Sequence, residues 1–293
     1  MFPFQAEESR KAGLDVSDDK MKVAFKAAFK DMVSRHPIYG LYSGLQSPDQ
    51  WWTELIESSL KSAGVTNQTT LSTIMPTLAP TLLNRFSTVE AYKLAQGVPT
   101  IFQSLEQLRF QLTKTTTATP PTKSNGGNFF WNLATNSDSR ILSVCQSLGL
   151  SEYLDVDIQG KQGQKDFNPP KTQNEKGGSA RASEPSLSYF LGYEKPHAKF
   201  FHKAVQRSFS YIDSTNQISP SSQSSLSDLC AQTLYVGDDY REDYLGAKEA
   251  GLQAVWLKRS QPWPSELSQI ERDKVTALHS MEELSDFIKE SWS

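Results

Sequence analysis

Apolar residues recur at helical spacing through the first ninety positions of the chain. In "KMKVAFKAAFKDMV", the side chains of Phe25, Ala28, Phe29 and Met32 are predicted to share one helical face. The next helix follows "SPDQWW", where Ser47 is placed to cap it and Gln50 stands at capping-box spacing. Gly64 is expected to end this second helix. Its inner face is predicted to consist of Trp52, Leu55, Ile56, Ser59 and Leu60.

A third apolar stretch, "TLSTIMPTLAPTLLNRF", contains two prolines. Proline inside a helix removes a backbone donor and clashes with the preceding turn, so Pro76 and Pro80 are expected to break this stretch into short pieces. No alternating strand pattern occurs in the first third of the sequence. Residues 1–90 are therefore predicted to form a helical domain.

From about residue 91, helical segments alternate with short apolar runs. The runs 129–135, 153–158, 233–237 and 252–258 are predicted strands, and 139–148 is a predicted helix. Two further helices are predicted in "YLGAKEAG" and in "SMEELSDFI", where Ser280 and Glu283 have capping-box spacing. Strands that alternate with helices indicate an α/β core with a doubly wound, Rossmann-like parallel sheet, here over residues 91–293.

Three polar stretches interrupt the predicted core. Residues 113–128, 159–186 and 213–228 are rich in Ser, Thr, Gly, Pro, Gln and Asn. Their apolar content is too low to form a packed core, so mobile surface insertions are expected.

Composition excludes several classes of protein. The chain has 293 residues, 37% hydrophobic positions and a formal net charge of −3, which favours neither nucleic acid nor an anionic membrane as partner. Cys145 and Cys230 are the two cysteines, too few for a disulfide framework or a Cys-based zinc site. No apolar run is long enough for a signal peptide or a membrane span. An intracellular protein, cytoplasmic or nuclear, is expected, and the oligomeric state is left open.

An acidic turn, "VGDDYREDYLGAKEAG", follows the predicted strand 233–237. Asp238 and Asp239 come directly after a glycine, and Asp243 lies about one helical turn further on. Ligands of a doubly wound sheet bind at the carboxyl ends of its strands. Clustered carboxylates at that position favour a hard divalent cation such as Mg²⁺. The alternative is a solvated turn with a capping aspartate.

Two other segments carry polar groups suited to a phosphoryl ligand. Lys195 in "EKPHAKFF" precedes a proline that rigidifies the approach to a helix, although an ordinary surface lysine is equally consistent with the pattern. Thr135 and Asn136 in "LATNSD" end a predicted strand with a hydroxyl and an amide. Their alternative role is the start of a helix, for which Ser137 or Asp138 would serve as cap.

Taken together and in this order, the three segments resemble the haloacid dehalogenase superfamily. "LATNSD" is similar to its second motif, "EKPHAKFF" to its third and "YVGDDYREDYLGAKEAG" to its fourth. The longer run that includes "HPIYG" and "SPDQWW" is most similar to the haloacid dehalogenase-like hydrolase domain-containing protein three group. One departure is His197, which stands where the third motif usually has aspartate.

The resemblance implies a role for each of these residues. It implies a Mg²⁺-dependent hydrolase of the phosphatase type, acting on a small phosphorylated metabolite beneath a helical cap. Asp238 would be a metal ligand with Asp243 supporting it, and Lys195 would stabilise the phosphoryl charge. Thr135 and Asn136 would bind phosphoryl oxygens.

The nucleophile that the resemblance requires is not found. Family members attack phosphorus with an aspartate on an N-terminal strand of the form DxDxT, and a second aspartate two residues later acts as general acid and base. The early candidates Asp15, Asp18 and Asp19 follow no apolar run and are interpreted as part of a loop between helices. That first strand is central in the family's sheet, so its absence would leave two strands facing an empty slot.

Two interpretations follow from the missing motif. We expect an incomplete version of a longer protein in preference to a rearranged sheet. The function is then that of a phosphatase-type hydrolase in an incomplete or inactive form, with Mg²⁺ binding weak or lost. The alternative is a catalytically inactive relative that serves as a binding or scaffold protein.

Overall fold

The computed structural model describes residues 2–115, 130–154, 185–214 and 225–292. Its first part is helical, and we call the four helices and their connections the helical region. A 3₁₀ turn at Ile38–Gly40 connects the second and third of these helices. The four helices are α1 (Phe2–Lys11), α2 (Asp18–Arg35), α3 (Pro48–Ser62) and α4 (Gln68–Arg85). A domain boundary at residue 90 remains a prediction.

The predicted inner faces of α2 and α3 are largely confirmed. Phe25, Ala28 and Met32 are buried, but Phe29 is 38% exposed and contacts the rings of Phe25 and Trp51. All five residues predicted for the inner face of α3 are buried. The Ser47 hydroxyl accepts a hydrogen bond from the Gln50 backbone N–H at 3.3 Å, as expected of a helix cap.

The prediction that two prolines interrupt the third apolar stretch is wrong. Helix α4 runs unbroken through Pro76 and Pro80. The two prolines are four residues apart and both are exposed, so they share the solvent face. The carbonyls that lose their intrahelical partners belong to Ser72 and Pro76, which are also exposed and can bond water. The opposite face buries Leu71, Met75, Leu78, Ala79 and Leu82.

The rest of the described chain alternates short strands with helices. A six-residue π-helical segment, Tyr240–Leu245, leads directly into α10. The strands are β1 (Ala134–Thr135), β2 (Ser186–Leu187), β3 (Leu234–Gly237), β4 (Gln253–Leu257) and β5 (Ala277–Leu278). The helices are α5 (Val98–Thr115), α6 (Arg140–Ser147), α7 (Ser188–Leu191), α8 (Ala198–Ser214), α9 (Leu226–Ala231), α10 (Gly246–Glu249), α11 (Gln269–Arg272) and α12 (Met281–Trp292).

This architecture confirms an α/β fold with a helical region, while some strand predictions need correction. The predicted buried strand 129–135 is reduced to β1, whose two residues are only half-buried. Tyr153 and Leu154 form a turn, and residues 155–158 of that predicted strand lie outside the described residues. The predicted strands 233–237 and 252–258 are present as β3 and β4.

Every strand pair is parallel, but the strands form two separate sheets. β1 pairs with β2, and β3, β4 and β5 pair in that order. β4 is the middle strand of its sheet and buries four of its five residues, whereas all four residues of β3 are half-buried. β1 and β3 therefore each have one free edge, and no described strand pairs with either edge.

A single side chain connects these two free edges. The Tyr235 hydroxyl on β3 donates a hydrogen bond to the Ala134 carbonyl on β1 at 3.1 Å. A tyrosine side chain and its hydrogen bond together span about two strand spacings of ~4.8 Å. A side chain thus links β1 and β3, the strands that precede the second and fourth motifs. That a further strand belongs between them stays a prediction.

The three predicted insertions lie mostly outside the described residues. Their ends are structured where they are described, which corrects the predicted boundaries. Helix α5 continues to Thr115, Ser186 is a buried residue of β2, and Ser225 forms a capping box with Asp228 at the start of α9. Among the helices that the structure describes, none is long and apolar enough to cross a membrane.

The exposed prolines of α4 generate a stability prediction. Pro76→Ala restores a helical N–H to the Ser72 carbonyl, so the free energy of unfolding is expected to rise by ~1–3 kcal/mol. Urea denaturation of the 293-residue chain measures it. Thr77→Ala, an exposed neighbour on the same helix, is the control and is expected to change stability by less than about 0.7 kcal/mol. A loss of stability in Pro76→Ala would show that the proline ring supports the helix.

Candidate functional site

Three segments meet at the carboxyl ends of β1 and β3: the loop after β1, the loop before α8 and the acidic turn after β3. Lys195, which lies before α8, donates its backbone N–H to the Asn136 Oδ1 atom at 2.7 Å. The Asn136 Nδ2 atom donates back to the Lys195 carbonyl at 3.2 Å. The Lys195 ammonium donates to the Asp243 Oδ1 atom at 2.5 Å. The fold thus brings together predicted site residues that lie more than one hundred positions apart.

Asp243 is buried, and both of its carboxylate oxygens accept hydrogen bonds. Its side chain is 5% exposed, and that of Lys195 is 12% exposed. The Oδ1 atom of Asp243 also accepts from the Tyr235 hydroxyl at 3.3 Å, and its Oδ2 atom accepts from the Asp239 backbone N–H at 2.9 Å. A buried charge pair is stable when such additional hydrogen bonds satisfy it. Asp243 therefore fixes Lys195 and the acidic turn in place.

Gly237 makes this arrangement possible. A Cβ atom at position 237 would lie 2.2 Å from the Asp243 Cγ atom, far inside van der Waals contact. The glycine in the acidic turn is thus explained by the close approach of the Asp243 carboxyl to the end of β3.

Asp238 and Asp239 are neighbours with different environments. The Asp239 carboxylate accepts from the Arg241 and Glu242 backbone N–H groups at 2.8 and 2.7 Å, so it caps the π-helical segment. The Asp238 carboxylate is exposed and makes no hydrogen bond to the described residues. Its backbone carbonyl, in contrast, accepts from the Trp256 Nε1 atom at 3.1 Å. These hydrogen bonds hold the backbone of the turn and leave the Asp238 carboxylate without a partner among the described residues.

The donor set limits how a metal ion could bind. Within the described residues, no three His, Cys, Asp or Glu side chains are grouped to hold a metal. Both oxygens of Asp243 are occupied, which leaves Asp238 as the free carboxylate of the turn. Mg²⁺ commonly binds through one or two carboxylates together with substrate phosphate and water. The residues present fit Mg²⁺ only in that manner, with phosphoryl oxygens supplied by a ligand.

The surroundings of Lys195 are predominantly acidic. Desolvation raises the pKa of the Glu194 carboxyl. Desolvation also raises the pKa of the Glu242 carboxyl, while the nearby Lys195 charge acts in the opposite direction. With Asp238 and Asp243 also present, carboxylates outnumber the lysine, so the site attracts a cation before it attracts a free anion.

Thr135 and Asn136 have different freedom to bind a ligand. The Asn136 Nδ2 atom donates to Glu242 at 3.3 Å in addition to the Lys195 carbonyl, so both amide hydrogens are used. Thr135, at the end of β1, lines a cavity of about 210 Å³ that is enclosed by the helical region and the loop after β1. Asn136 therefore positions Lys195, whereas the Thr135 hydroxyl makes no hydrogen bond to the described residues.

Several residues of the site were not singled out by sequence reasoning. Tyr235 is one, although a tyrosine in an otherwise aliphatic strand signals a hydroxyl that needs a partner when it is buried. Burial, followed by the Asp243 charge, raises the pKa of the Tyr235 hydroxyl, which keeps it a hydrogen-bond donor. Trp52 and Tyr39 are the others. Both belong to the helical region and donate hydrogen bonds to the loop after β1.

The helical region is attached to the site loops by polar contacts of aromatic residues. The Trp52 Nε1 atom donates to the buried Asp138 carboxylate at 3.1 Å. The Tyr39 hydroxyl donates to the Asn136 carbonyl at 3.2 Å. Asp138 also accepts from the Arg140 backbone N–H at 2.9 Å, although the N-cap position of α6 is Ser139 and neither Ser137 nor Asp138 occupies it. The same short loop thus contacts Lys195 on one side and the helical region on the other.

The early aspartates lie elsewhere. Asp15 is exposed in the loop between α1 and α2, and Asp18 and Asp19 occupy the exposed first turn of α2. Asp18 pairs with Arg10 at 2.7 Å. None of the three takes part in the hydrogen-bond network around Lys195.

The known proteins that this chain is similar to include haloacid dehalogenase-like hydrolases. A family model described as HAD-hydrolase-like matches residues 192–284, which include Lys195 and the acidic turn. The chain is 22% identical to haloacid dehalogenase-like hydrolase domain-containing protein 3 of Bos taurus over 97% of this chain and 83% of that protein. It is 20% identical to a putative uncharacterized hydrolase of Schizosaccharomyces pombe over 83% of this chain and 76% of that protein.

One solved structure shares the fold. It is the putative HAD-hydrolase YfnB from Bacillus subtilis bound to magnesium, with a TM-score of 0.51 and 15% sequence identity. The match covers 96% of this chain and 87% of that chain. At this level of identity the likeness concerns the fold alone.

The Tyr235 hydroxyl provides a test of the site's construction. Tyr235→Phe keeps the ring but removes the hydroxyl, whose one proton is shared between the Ala134 carbonyl and the Asp243 carboxylate, so the free energy of unfolding is expected to fall by ~1–2 kcal/mol. Tyr240→Phe is the matched control, because that ring is buried but its hydroxyl makes no hydrogen bond to the described residues. Equal unfolding free energies for the two variants in urea would refute the bridging role of Tyr235.

Proposed function

We propose that this chain, which is related to the haloacid dehalogenase-like hydrolases, carries a phosphoryl-binding site of the phosphatase type that works with Mg²⁺. Its ligand is a small phosphorylated molecule, bound where the loops after β1 and β3 meet. Residues 1–293 bind this ligand but do not hydrolyse it. The observation that supports the proposal most directly is the Lys195 ammonium, which the buried Asp243 and Asn136 hold at this position.

Each residue contributes a separate part of the binding chemistry. Lys195 supplies a fixed positive charge beside the phosphoryl oxygens. Its position is set by two hydrogen bonds to the Asn136 side chain, one from its backbone N–H and one to its carbonyl. The Thr135 hydroxyl donates to a phosphoryl oxygen. Asp238 contributes the free carboxylate for Mg²⁺, which, when bound, neutralises phosphoryl charge and offsets the surrounding acidic groups.

The helical region is proposed to act as a cap. It contacts the site loops through Trp52 and Tyr39, so a ligand bound at Lys195 lies beside its aromatic residues. A cap in this position excludes water and selects ligands by shape.

The bond-breaking step lacks a nucleophile among the residues discussed. Lys195, Thr135 and Asp238 bind or polarise a phosphoryl group, and the sequence contains no DxDxT segment. The absence of this segment favours a second candidate function, that of an inactive binding or scaffold protein. The two candidates differ in whether a phosphorylated small molecule binds at Lys195.

The first prediction from this proposal concerns the coupling of Mg²⁺ and phosphate. Calorimetric titration of inorganic phosphate into residues 1–293 is expected to show at least about tenfold tighter binding with Mg²⁺ than without it, because Asp238 would hold the ion and the ion would offset the phosphate charge. Asp238→Asn removes this gain, whereas Asp239→Asn retains it, because asparagine also caps a helix.

The lysine has its own matched control in the same titration. Lys195→Met is expected to weaken phosphate binding in all conditions, and Lys199→Met, an exposed lysine on α8, is expected to leave it unchanged. Phosphate binding that is insensitive to Lys195→Met and Asp238→Asn would contradict the proposed site and favour the scaffold alternative.

The second prediction is an absence of turnover. With Mg²⁺, residues 1–293 are expected not to hydrolyse 4-nitrophenyl phosphate, because loss of a central nucleophile typically lowers the rate by several powers of ten. Steady-state assays compare the parent chain with Asp238→Ala and Asp15→Ala. A third variant, Asp155→Ala, tests the pair Asp155 and Asp157, which have DxD spacing and lie outside the described residues.

Each outcome of this assay has a definite meaning. Robust Mg²⁺-dependent turnover that Asp15→Ala or Asp155→Ala abolishes would identify that aspartate as the nucleophile and overturn the prediction. Turnover that no aspartate variant affects would point to a contaminating phosphatase, which repurification of the Asp238→Ala protein would reveal.

A further inference from the structure

Arg140, the first residue of α6, has one guanidinium nitrogen that donates no hydrogen bond to the described residues. The Arg140 Nε atom donates to the Asp138 Oδ1 atom at 2.9 Å, and its Nη2 atom donates to Asp138 Oδ2. Its guanidinium carbon lies 4.4 Å from the centre of the Trp52 ring. The Nη1 atom is buried and has no hydrogen-bond partner in the part of the chain that the structure describes. A buried donor without a partner costs about 1–3 kcal/mol, so an acceptor beside it would be favourable.

This arginine lines the cavity that Thr135 also lines. The cavity measures about 210 Å³, and its walls come from both the helical region and the loop after β1. Its principal lining residues are Tyr39, Trp52, Phe86, Tyr92, Asn136 and Arg140. Four of these are aromatic, and the cavity is continuous with Thr135, where the proposed phosphoryl group would lie.

The backbone is strained where it delivers Tyr39 to the cavity. Ile38 and Tyr39 have φ values of 52° and 55°, in the left-handed region that non-glycine residues rarely occupy. Such strain persists only where surrounding contacts maintain it, and it is often found at binding sites. Here it places the Tyr39 ring against Trp52 at 6.4 Å between centroids, with an interplanar angle of 23°.

The dimensions and chemistry of the cavity define what it accepts. A cavity of ~150 Å³ holds benzene, so one of about 210 Å³ holds a single ring with a small substituent. Aromatic walls favour a flat, unsaturated ring over a flexible chain. An acceptor oxygen on that ring would satisfy the Arg140 Nη1 donor, and Asp138 already balances the arginine charge, so the acceptor can be neutral.

We propose that this cavity binds the organic portion of the phosphorylated ligand, as a single planar ring with an acceptor oxygen that faces Arg140. The inference rests on the proposed phosphoryl site for the position of the phosphate, and it adds the chemical class of the group attached to it. Trp52 and Tyr92 contact the ring, and Arg140 selects for the acceptor.

The experiment separates the ring from the phosphate with non-hydrolysable ligands. Methylphosphonate, benzylphosphonate and 4-nitrobenzylphosphonate are titrated into residues 1–293 with Mg²⁺. Benzylphosphonate is expected to bind about tenfold tighter than methylphosphonate, because the ring is buried. The nitro oxygens are expected to add a further gain of about fivefold through Arg140.

Two variants assign the gains to their residues. Tyr92→Ala is expected to remove the gain from the ring without changing methylphosphonate binding. Tyr153→Ala, which removes a half-buried tyrosine outside the cavity, is its control. Arg140→Lys keeps the charge beside Asp138 and is expected to remove only the gain from the nitro group. A thermal melt of each variant verifies that it is folded.

The outcomes distinguish this inference from the proposed function. Equal affinities for methylphosphonate and benzylphosphonate would overturn the cavity inference, as would an Arg140→Lys variant that weakens all three ligands equally. A parallel titration with 4-nitrobenzyl alcohol, which has no phosphate, tests the cavity alone. Binding of the alcohol without binding of any phosphonate would refute the phosphoryl site and sustain the cavity, whereas binding of neither would overturn both.

Discussion

The buried ion pair between Lys195 and Asp243 is the contact on which the rest of the site depends. Two charges removed from water are stable together only when their remaining hydrogen-bonding capacity is also satisfied. Tyr235 and the Asp239 backbone satisfy Asp243, and Asn136 holds the backbone of Lys195. These partners come from three separate segments, so one pair fixes the loop after β1, the loop before α8 and the acidic turn relative to each other.

The acidic residues around this ion pair differ in how many of their carboxylate oxygens are hydrogen-bonded. Asp243 is consumed as a structural partner, Asp239 caps a π-helical segment, and Asp238 alone presents a free carboxylate. The turn also carries Glu242, which accepts a hydrogen bond from the Asn136 amide. Of these four carboxylates, that of Asp238 is the one without a hydrogen bond to the described residues. Any Mg²⁺ bound there must take its other ligands from water and from phosphoryl oxygens, which couples metal binding to ligand binding.

The segment from Thr135 to Arg140 contacts both Lys195 and the helical region. Asn136 faces Lys195 with its side chain and Tyr39 with its carbonyl, while Asp138 receives Trp52 and Arg140. In the proposed function, adjacent residues of this segment would therefore contact both the phosphoryl group and the group attached to it. The helical region reaches the site through aromatic side chains that donate hydrogen bonds, a geometry that keeps their rings available to line the cavity.

The sequence by itself determined those elements that depend on side chains within a few residues of each other. The caps at Ser47 and Ser280, the inner face of α3 and strands β3 and β4 follow from spacing and side-chain chemistry within a few residues. The motifs likewise indicated which polar residues would meet at the carboxyl ends of the strands. Only the tertiary structure decided what depends on distant neighbours. The continuity of α4 through Pro76 required that both prolines face solvent. The bridge from Tyr235 to Ala134 and the orphan donor of Arg140 arise between segments that no periodicity relates, because burial and hydrogen-bond partners are assigned only when the chain has folded.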